Sequence, residues 1–200
     1  MDSRDVSCHT IGVVQLYNME TSQEHIPVLL SETLEILKPH PGESYLDFTA
    51  GRGGHARAVI AAGVSPENCI LVDRDVEAIE YLKSDPVLHG SRIIHSTFEQ
   101  AAKDLAAEGK QFDMVLADIG VSSPHLDTAS RGFSISSPGP LDMRMDTSQV
   151  LTAATIVNEW DMDRLIQVLR DYGEEPRAKF IAKLIIAARP IATTADLATI

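Results

Sequence analysis

A short apolar run, Tyr45-Leu46-Asp47-Phe48, turns through Gly51, Gly53 and Gly54 and enters a helical pattern marked by Ala56, Val59, Ile60 and Gly63. No other stretch of the chain narrows the choice of fold as far. A strand that turns through glycine into a helix gathers backbone N–H groups and the positive end of the helix dipole at one point, where a ligand can sit. Glycine serves in such a turn because side chains would block close approach and because the required φ values are cheap only for glycine. The cluster alone is also compatible with an ordinary turn. Asp73 adds weight, since it ends the next apolar run, Cys69-Ile70-Leu71-Val72. A carboxylate about twenty residues beyond such a turn is placed to hold the hydroxyls of a ribose. Together these residues predict a site for an adenosine-containing cofactor.

Asp47 separates the cofactors. It stands four residues ahead of Gly51, and its carboxylate would repel the pyrophosphate of a dinucleotide. It would attract the ammonium and sulfonium of S-adenosylmethionine. The residues therefore favour S-adenosylmethionine over NAD, with Asp47, Gly51, Gly53, Gly54 and Asp73 around it.

Downstream, strand and helix patterns alternate. Helices over 54–62, 75–83 and 99–108 interleave with strands over 69–73, 92–96 and 112–117. This rhythm predicts a parallel sheet with helices on both faces. Ahead of it, Leu30, Thr33, Leu34 and Leu37 share one face of a helix that Pro39 and Pro41 end. Asp118, like Asp73, falls at the carboxyl end of a strand, where ligands bind in such sheets. Phe98 follows the third strand and is either a platform for adenine or a helix-start residue that covers the core.

The rhythm breaks over 118–149, a long loop of the kind that is usually functional. It carries Asp118-Ile119-Gly120-Val121-Ser122-Ser123-Pro124-His125 and two arginines, Arg131 and Arg144, suited to phosphate or carboxylate contacts. Helical patterns follow over 152–159, 161–172 and 176–189. The chain so divides into a mobile N-terminal extension over 1–24, a cofactor-binding part over 25–149 and a helical module over 150–200.

Charge bears on the partner. A net charge of −12 argues against non-specific nucleic-acid binding, so any RNA contact needs a local basic patch. The segment from Arg164 to Arg189 offers six basic against three acidic residues, among them Arg177, Lys179 and Lys183. Cys8 and Cys69 have no disulfide or metal-ligand spacing, which fits a reducing cytoplasmic setting without a metal. No apolar run reaches the length of a membrane span and the N-terminus lacks a signal-peptide pattern. A cytoplasmic protein without membrane contact is expected.

Several strings resemble those of the ribosomal RNA small subunit methyltransferase H family, also called MraW. They are His25-Ile26-Pro27-Val28-Leu29, Asp47-x-Thr49-x-Gly51-x-Gly53-Gly54-His55, Asp118-x-Gly120-Val121-Ser122-Ser123-Pro124 and Arg131-Gly132-Phe133-Ser134. Gly139-Pro140-Leu141-Asp142-Met143-Arg144-Met145-Asp146 and Tyr172-Gly173-Glu174-Glu175 are similar too, and the likeness runs from His25 to Ile200. It implies a Rossmann-like α/β methyltransferase sheet with an inserted helical module. It also implies transfer of a methyl group from S-adenosylmethionine to N4 of a cytosine in 16S rRNA. By this resemblance Gly53, Gly54, His55, Asp73, Phe98 and Asp118 are cofactor contacts. The next contact is a glutamine in the family, and here it is His125.

A cytosine amine is a poor nucleophile because its lone pair is delocalised into the ring. Groups that accept its two protons favour the reactive geometry. Asp118, with the backbone of Ser122, Ser123 and Pro124, is the candidate catalytic set; the alternative is a cap and a turn. The partner implied is 16S rRNA or the small ribosomal subunit, met by Arg131, Arg144, Arg177, Lys179 and Lys183, with a homodimer left open. Two rival classes stand beside this reading: an NAD-dependent oxidoreductase on the same sheet, and a catalytically silent RNA- or protein-binding relative. The family resumes its sheet after the helical module with an Asn-x-Glu segment and a Phe-His-Ser motif. Neither follows the helical module here, so the sheet is expected to be incomplete at the C-terminus and the chain to bind cofactor weakly without turnover.

Overall fold

The computed structural model describes residues 27–200. The expected extension over 1–24, with Cys8, and His25 and Ile26 of the first string lie outside them. Four strands, β1 (Tyr45–Asp47), β2 (Cys69–Asp73), β3 (Arg92–His95) and β4 (Met114–Leu116), form one parallel sheet in the order β3-β2-β1-β4. Helices α2 (Gly54–Ala61), α3 (Val76–Ser84) and α4 (Phe98–Ala107) make the crossovers, and α1 (Leu30–Leu37) precedes β1.

The period-two alternation of side chains decides what each face buries. Tyr45 pairs in register with Cys69 and Asp47 with Leu71, and this face meets α1, α2 and α3. Tyr45, Val59, Leu71, Ile79, Leu82 and Met114 form its core, joined by half-buried Leu34 and Leu37 of α1. Leu46, Ile70 and Val72 point the other way, onto Ala101 and Leu105 of α4. Full burial of a Leu or Val side chain contributes about 1.5–3 kcal/mol, and both faces draw on it. Helices therefore cover both faces, as the alternation predicts.

Strand order creates the ligand position. The chain steps outward from β1 to β2 to β3, then returns to place β4 on the other side of β1. The strand order so reverses between β1 and β4, and a crevice opens at their carboxyl ends. Among the described residues β4 is paired on one side only, and Val115 stays 51% exposed.

After β4 the loop holds one short helix, α5 (Ser123–Asp127), and a single 3-10 turn over Ala129–Arg131. Then come α6 (Ala153–Glu159), α7 (Met162–Asp171), α8 (Ala178–Ala188) and α9 (Thr194–Ala198). Thr152 and Asp161 start α6 and α7 by accepting the Thr155 and Arg164 amides, the usual work of a hydroxyl or carboxylate at an N-cap. These helices share a second core of Val157, Leu165, Ala182, Ile185 and Ile191. Leu141 joins it from the loop, where Pro140 also bridges to Thr193. Helix α9 was not expected; its five residues are too few for a periodic pattern to be read.

Candidate functional site

The glycine turn is held from the two neighbouring strands and by a bond within itself. Phe48 N–H donates to the Leu116 carbonyl at 2.9 Å, Ala50 N–H to the Val72 carbonyl at 3.0 Å and Gly53 N–H to the Ala50 carbonyl at 2.7 Å. Gly51 N–H donates to Asp73 Oδ2 at 2.7 Å, and Asp73 Oδ1 accepts the Asp75 amide at 2.8 Å. Asp73 is thus fixed at the mouth of the crevice with further lone pairs to offer.

The three glycines differ in purpose. Gly51 has φ +52° and open space where a side chain would start, with only the Thr49 carbonyl at 3.9 Å. Gly53 has φ +76°, and a Cβ there would lie 2.7 Å from Leu88 Cδ1 and 3.0 Å from Leu82 Cδ2. A Cβ on Gly54 would collide with Pro27. The expectation that Gly53 and Gly54 keep side chains out of the ligand's space is corrected: their missing side chains make room for the core and for Pro27.

Asp47 requires a correction as well. The pleat sends it inward beside Tyr45, and it is 1% exposed. Its oxygens accept the Tyr45 hydroxyl at 3.0 Å and the Thr49 amide at 3.0 Å. A ligand cannot touch a carboxylate so enclosed. Burial pushes its carboxyl up to about 6, against the hydrogen bonds from Thr49 and Tyr45 that pull it down. Asp47 holds the turn from beneath.

Asp118 and Phe98 are where a cofactor could meet them. Asp118 N–H donates to Thr49 Oγ1 at 2.7 Å, while its side chain is 59% exposed over the crevice. His55, at the start of α2, is buried and lies 3.9 Å from Asp118 by its Nε2. Burial pushes the imidazole pKa down, with Asp118 opposing, and its Nδ1 has no partner among the described residues. Phe98 opens α4, just after the Thr97 N-cap, and is 51% exposed. Thr49, which joins Asp47 to Asp118, was missed; its place two residues after a strand-end aspartate is the signal for such a turn.

His125, Arg131 and Arg144 are turned inward. Ser122 caps α5, and its N–H donates to His125 Nδ1 at 3.2 Å; His125 Nε2 lies 2.7 Å from Asp75 Oδ2. Both ring nitrogens are therefore spent, and the expected cofactor contact at His125 is corrected. Arg131 is buried, 2.9 Å from Asp75 Oδ2 and 3.1 Å from Glu77 Oε2, and donates to the carbonyls of Arg144 and Met145. Burial pushes the Asp75 carboxyl up, but hydrogen bonds from His125, Arg131 and the Glu77 amide outweigh it and bring it to about 2. Arg144 forks onto Asp142 at 2.7 and 2.8 Å and donates to the carbonyls of Thr147 and Gln149. Neither arginine is free for RNA phosphate. Their partners lie inside the loop or at the start of α3, and no local pattern announces them. Asp75 was missed too, although its place ahead of Val76 marks it as a helix cap.

Beyond the loop, Arg177, Lys179 and Lys183 are exposed, with Arg177 loosely beside Glu175 at 3.5 Å. Arg189 is not: it donates to the carbonyls of Val157 and Trp160 and closes α6. A concavity of about 360 Å³ lies between Arg74 and the stretch from Asp142 to Met145, and neither Asp73 nor the glycine turn lines it.

The sequence profile of the MraW methylase family matches residues 22–200. The chain belongs to that family. It is 42% identical to a protein of Synechocystis sp. named ribosomal RNA small subunit methyltransferase H, over 87% of this chain and 58% of that one. A protein of the same name from Dichelobacter nodosus is 46% identical over 91% of this chain and 60% of its own. The chain thus spans about three fifths of the length of these relatives.

Proposed function

We propose that this chain carries the S-adenosylmethionine site, and part of the RNA-facing surface, of a methyltransferase acting on N4 of a cytosine in 16S rRNA. The observation that carries the reading is the meeting of open Gly51, pinned Asp73 and exposed Asp118 and Phe98 at the carboxyl ends of the strands. A nucleoside fits this donor set. Asp73 would take the ribose hydroxyls, Phe98 would cover the adenine, and the Gly51 turn would admit the chain's backbone close to the ligand. When bound, S-adenosylmethionine supplies a methyl group on a sulfonium.

Asp118 is the group positioned to accept a proton-bearing amine near that methyl. Thr49 fixes its backbone, and half-open exposure leaves its carboxylate able to turn toward a base. The carbonyls of Ser122 and Pro124, expected to join it, are taken by the amides of His125 in α5 and Thr128 just after it, so the role falls to Asp118. An acceptor held in this way needs no reorganisation at the moment of reaction. A base in folded RNA must leave its stack to reach it, and exposed Arg177, Lys179 and Lys183 could hold the flanking phosphates. Family membership supports this chemistry over a dehydrogenase.

Calorimetry with S-adenosylmethionine and with NAD tests the cofactor, and single-turnover methyl transfer to small-subunit rRNA tests the reaction. Binding of S-adenosylmethionine that weakens in Asp73→Ala, without binding of NAD, is the expected result. Binding of NAD alone would sink the proposal.

A further inference from the structure

We propose that His125 is a positioning residue that ties the loop after β4 to Asp73, so that cofactor binding and ordering of the substrate-facing loop are one coupled equilibrium. The inference rests on the cofactor reading above and extends it to residues that touch neither cofactor nor base.

A continuous chain of hydrogen bonds carries the argument. Ser122 N–H points at His125 Nδ1 from 3.2 Å, so that nitrogen is the acceptor and bears no proton. The proton is then on Nε2, which donates to Asp75 Oδ2 at 2.7 Å. Ser122 Oγ, 2.9 Å from Nδ1, adds a second donor. Asp75 uses its other oxygen for the Glu77 amide at 3.0 Å and its own N–H for Asp73 Oδ1 at 2.8 Å. Asp73 Oδ2 in turn takes Gly51 N–H. The path runs from the cap of α5 to the glycine turn without a gap.

Among the described residues little else holds the segment. Ile119, Val121 and Leu126 are all exposed, so the stretch from 119 to 128 buries little apolar surface of its own. Among the described residues it reaches inward through His125 on Asp75 and through the Phe133 ring 5.0 Å from the imidazole, and just beyond it the Arg131 guanidinium lies beside the same carboxylate. Asp75, His125 and Arg131 are each more than nine-tenths buried. A buried polar network is worth more than its pairs when complete and costs heavily when one member is removed. The loop is therefore placed mainly by polar contacts that end on the cofactor's carboxylate. A ligand that settles Asp73 steadies Asp75 and His125 with it, and linkage makes the effect reciprocal.

Amide hydrogen exchange over 119–128, with and without S-adenosylhomocysteine, tests the coupling alongside calorimetric affinity for the same compound. In the wild-type chain the ligand should slow exchange across this stretch. His125→Leu should raise exchange in the free protein, abolish the ligand-induced slowing and weaken binding about tenfold. His125→Gln should restore both, because its amide can accept from Ser122 N–H and donate to Asp75. A residue that only supports the fold would raise exchange in β1 and β2 as well. Should His125→Leu fail to fold, Arg131→Gln removes another arm of the same tie and should show the same losses. Wild-type affinity and ligand-induced slowing retained in His125→Leu, or in Arg131→Gln if that variant stands in, would overturn the coupling while leaving the cofactor site intact. A wild-type chain that binds no S-adenosylhomocysteine would overturn the cofactor reading and the coupling together.

Discussion

Asp47 and Asp75 respond to acid in opposite senses. The folded state keeps a proton on Asp47 up to about pH 6, whereas an unfolded Asp loses it near pH ~3.9. Between those values the native chain binds more protons, so stability falls as pH rises, by on the order of 3 kcal/mol from this group. Asp75 is depressed to about 2. Its contribution is present above the unfolded value and is lost as pH falls toward 2. Urea unfolding from pH 3 to 7 should show Asp47→Asn flattening the fall above about pH 4, because the neutral amide oxygen still accepts from Thr49 while its NH2 can donate to the Tyr45 hydroxyl oxygen. An unchanged slope would mean that another group carries it. The two glycines separate in the same way. Gly53→Ala forces a methyl onto Leu82 and Leu88 at positive φ and should lower the melting temperature. Gly51→Ala meets open space and costs only the left-handed conformation, about 1–2 kcal/mol, so its larger loss should appear in S-adenosylmethionine affinity. Equal losses in both would remove the distinction.

Helices α7 and α8 bury one side against each other and leave the other to solvent. Lys179 and Lys183, one turn apart on α8, belong to the exposed side. Reversing both to Glu should weaken RNA binding and flatten its salt dependence, by about 0.7 in log–log slope for each RNA phosphate that is no longer neutralised. Cofactor affinity measured by calorimetry should not move. The elements themselves were largely legible in the sequence because their signals are local. Apolar runs that end at an aspartate mark β1 and β2, and Leu30, Leu34 and Leu37 show the inner side of α1. The candidate site was half legible. Asp73, Asp118 and Phe98 are placed by strand ends, which a pattern reveals. Arg131, Arg144 and His125 were misjudged because a residue's type does not say where its charge is spent. The partner of His125 is fifty positions away in Asp75. Asp47 was readable after all: two residues from Tyr45 on one strand, it must share the buried side.

Across the whole molecule the weak place is β4. One of its edges is unpaired among the described residues, and Val115 shows half its surface. Unpaired apolar strands template association. Sedimentation at rising concentration should therefore reveal self-association, and Val115→Lys should reduce it; identical behaviour of the two would point to another surface. The strongest join lies elsewhere. Leu141 is buried among the helices that follow it, and the Gly139 carbonyl accepts the Thr194 amide at 2.9 Å. Between them and α6 lies Val150, almost fully exposed, a natural point for proteolytic attack. Limited digestion that cuts beside Val150 should yield two fragments that travel together on a sizing column and part only in denaturant. The clasp that Leu141 makes is on the far side of the cut, so severing the chain there does not separate what the chain had joined.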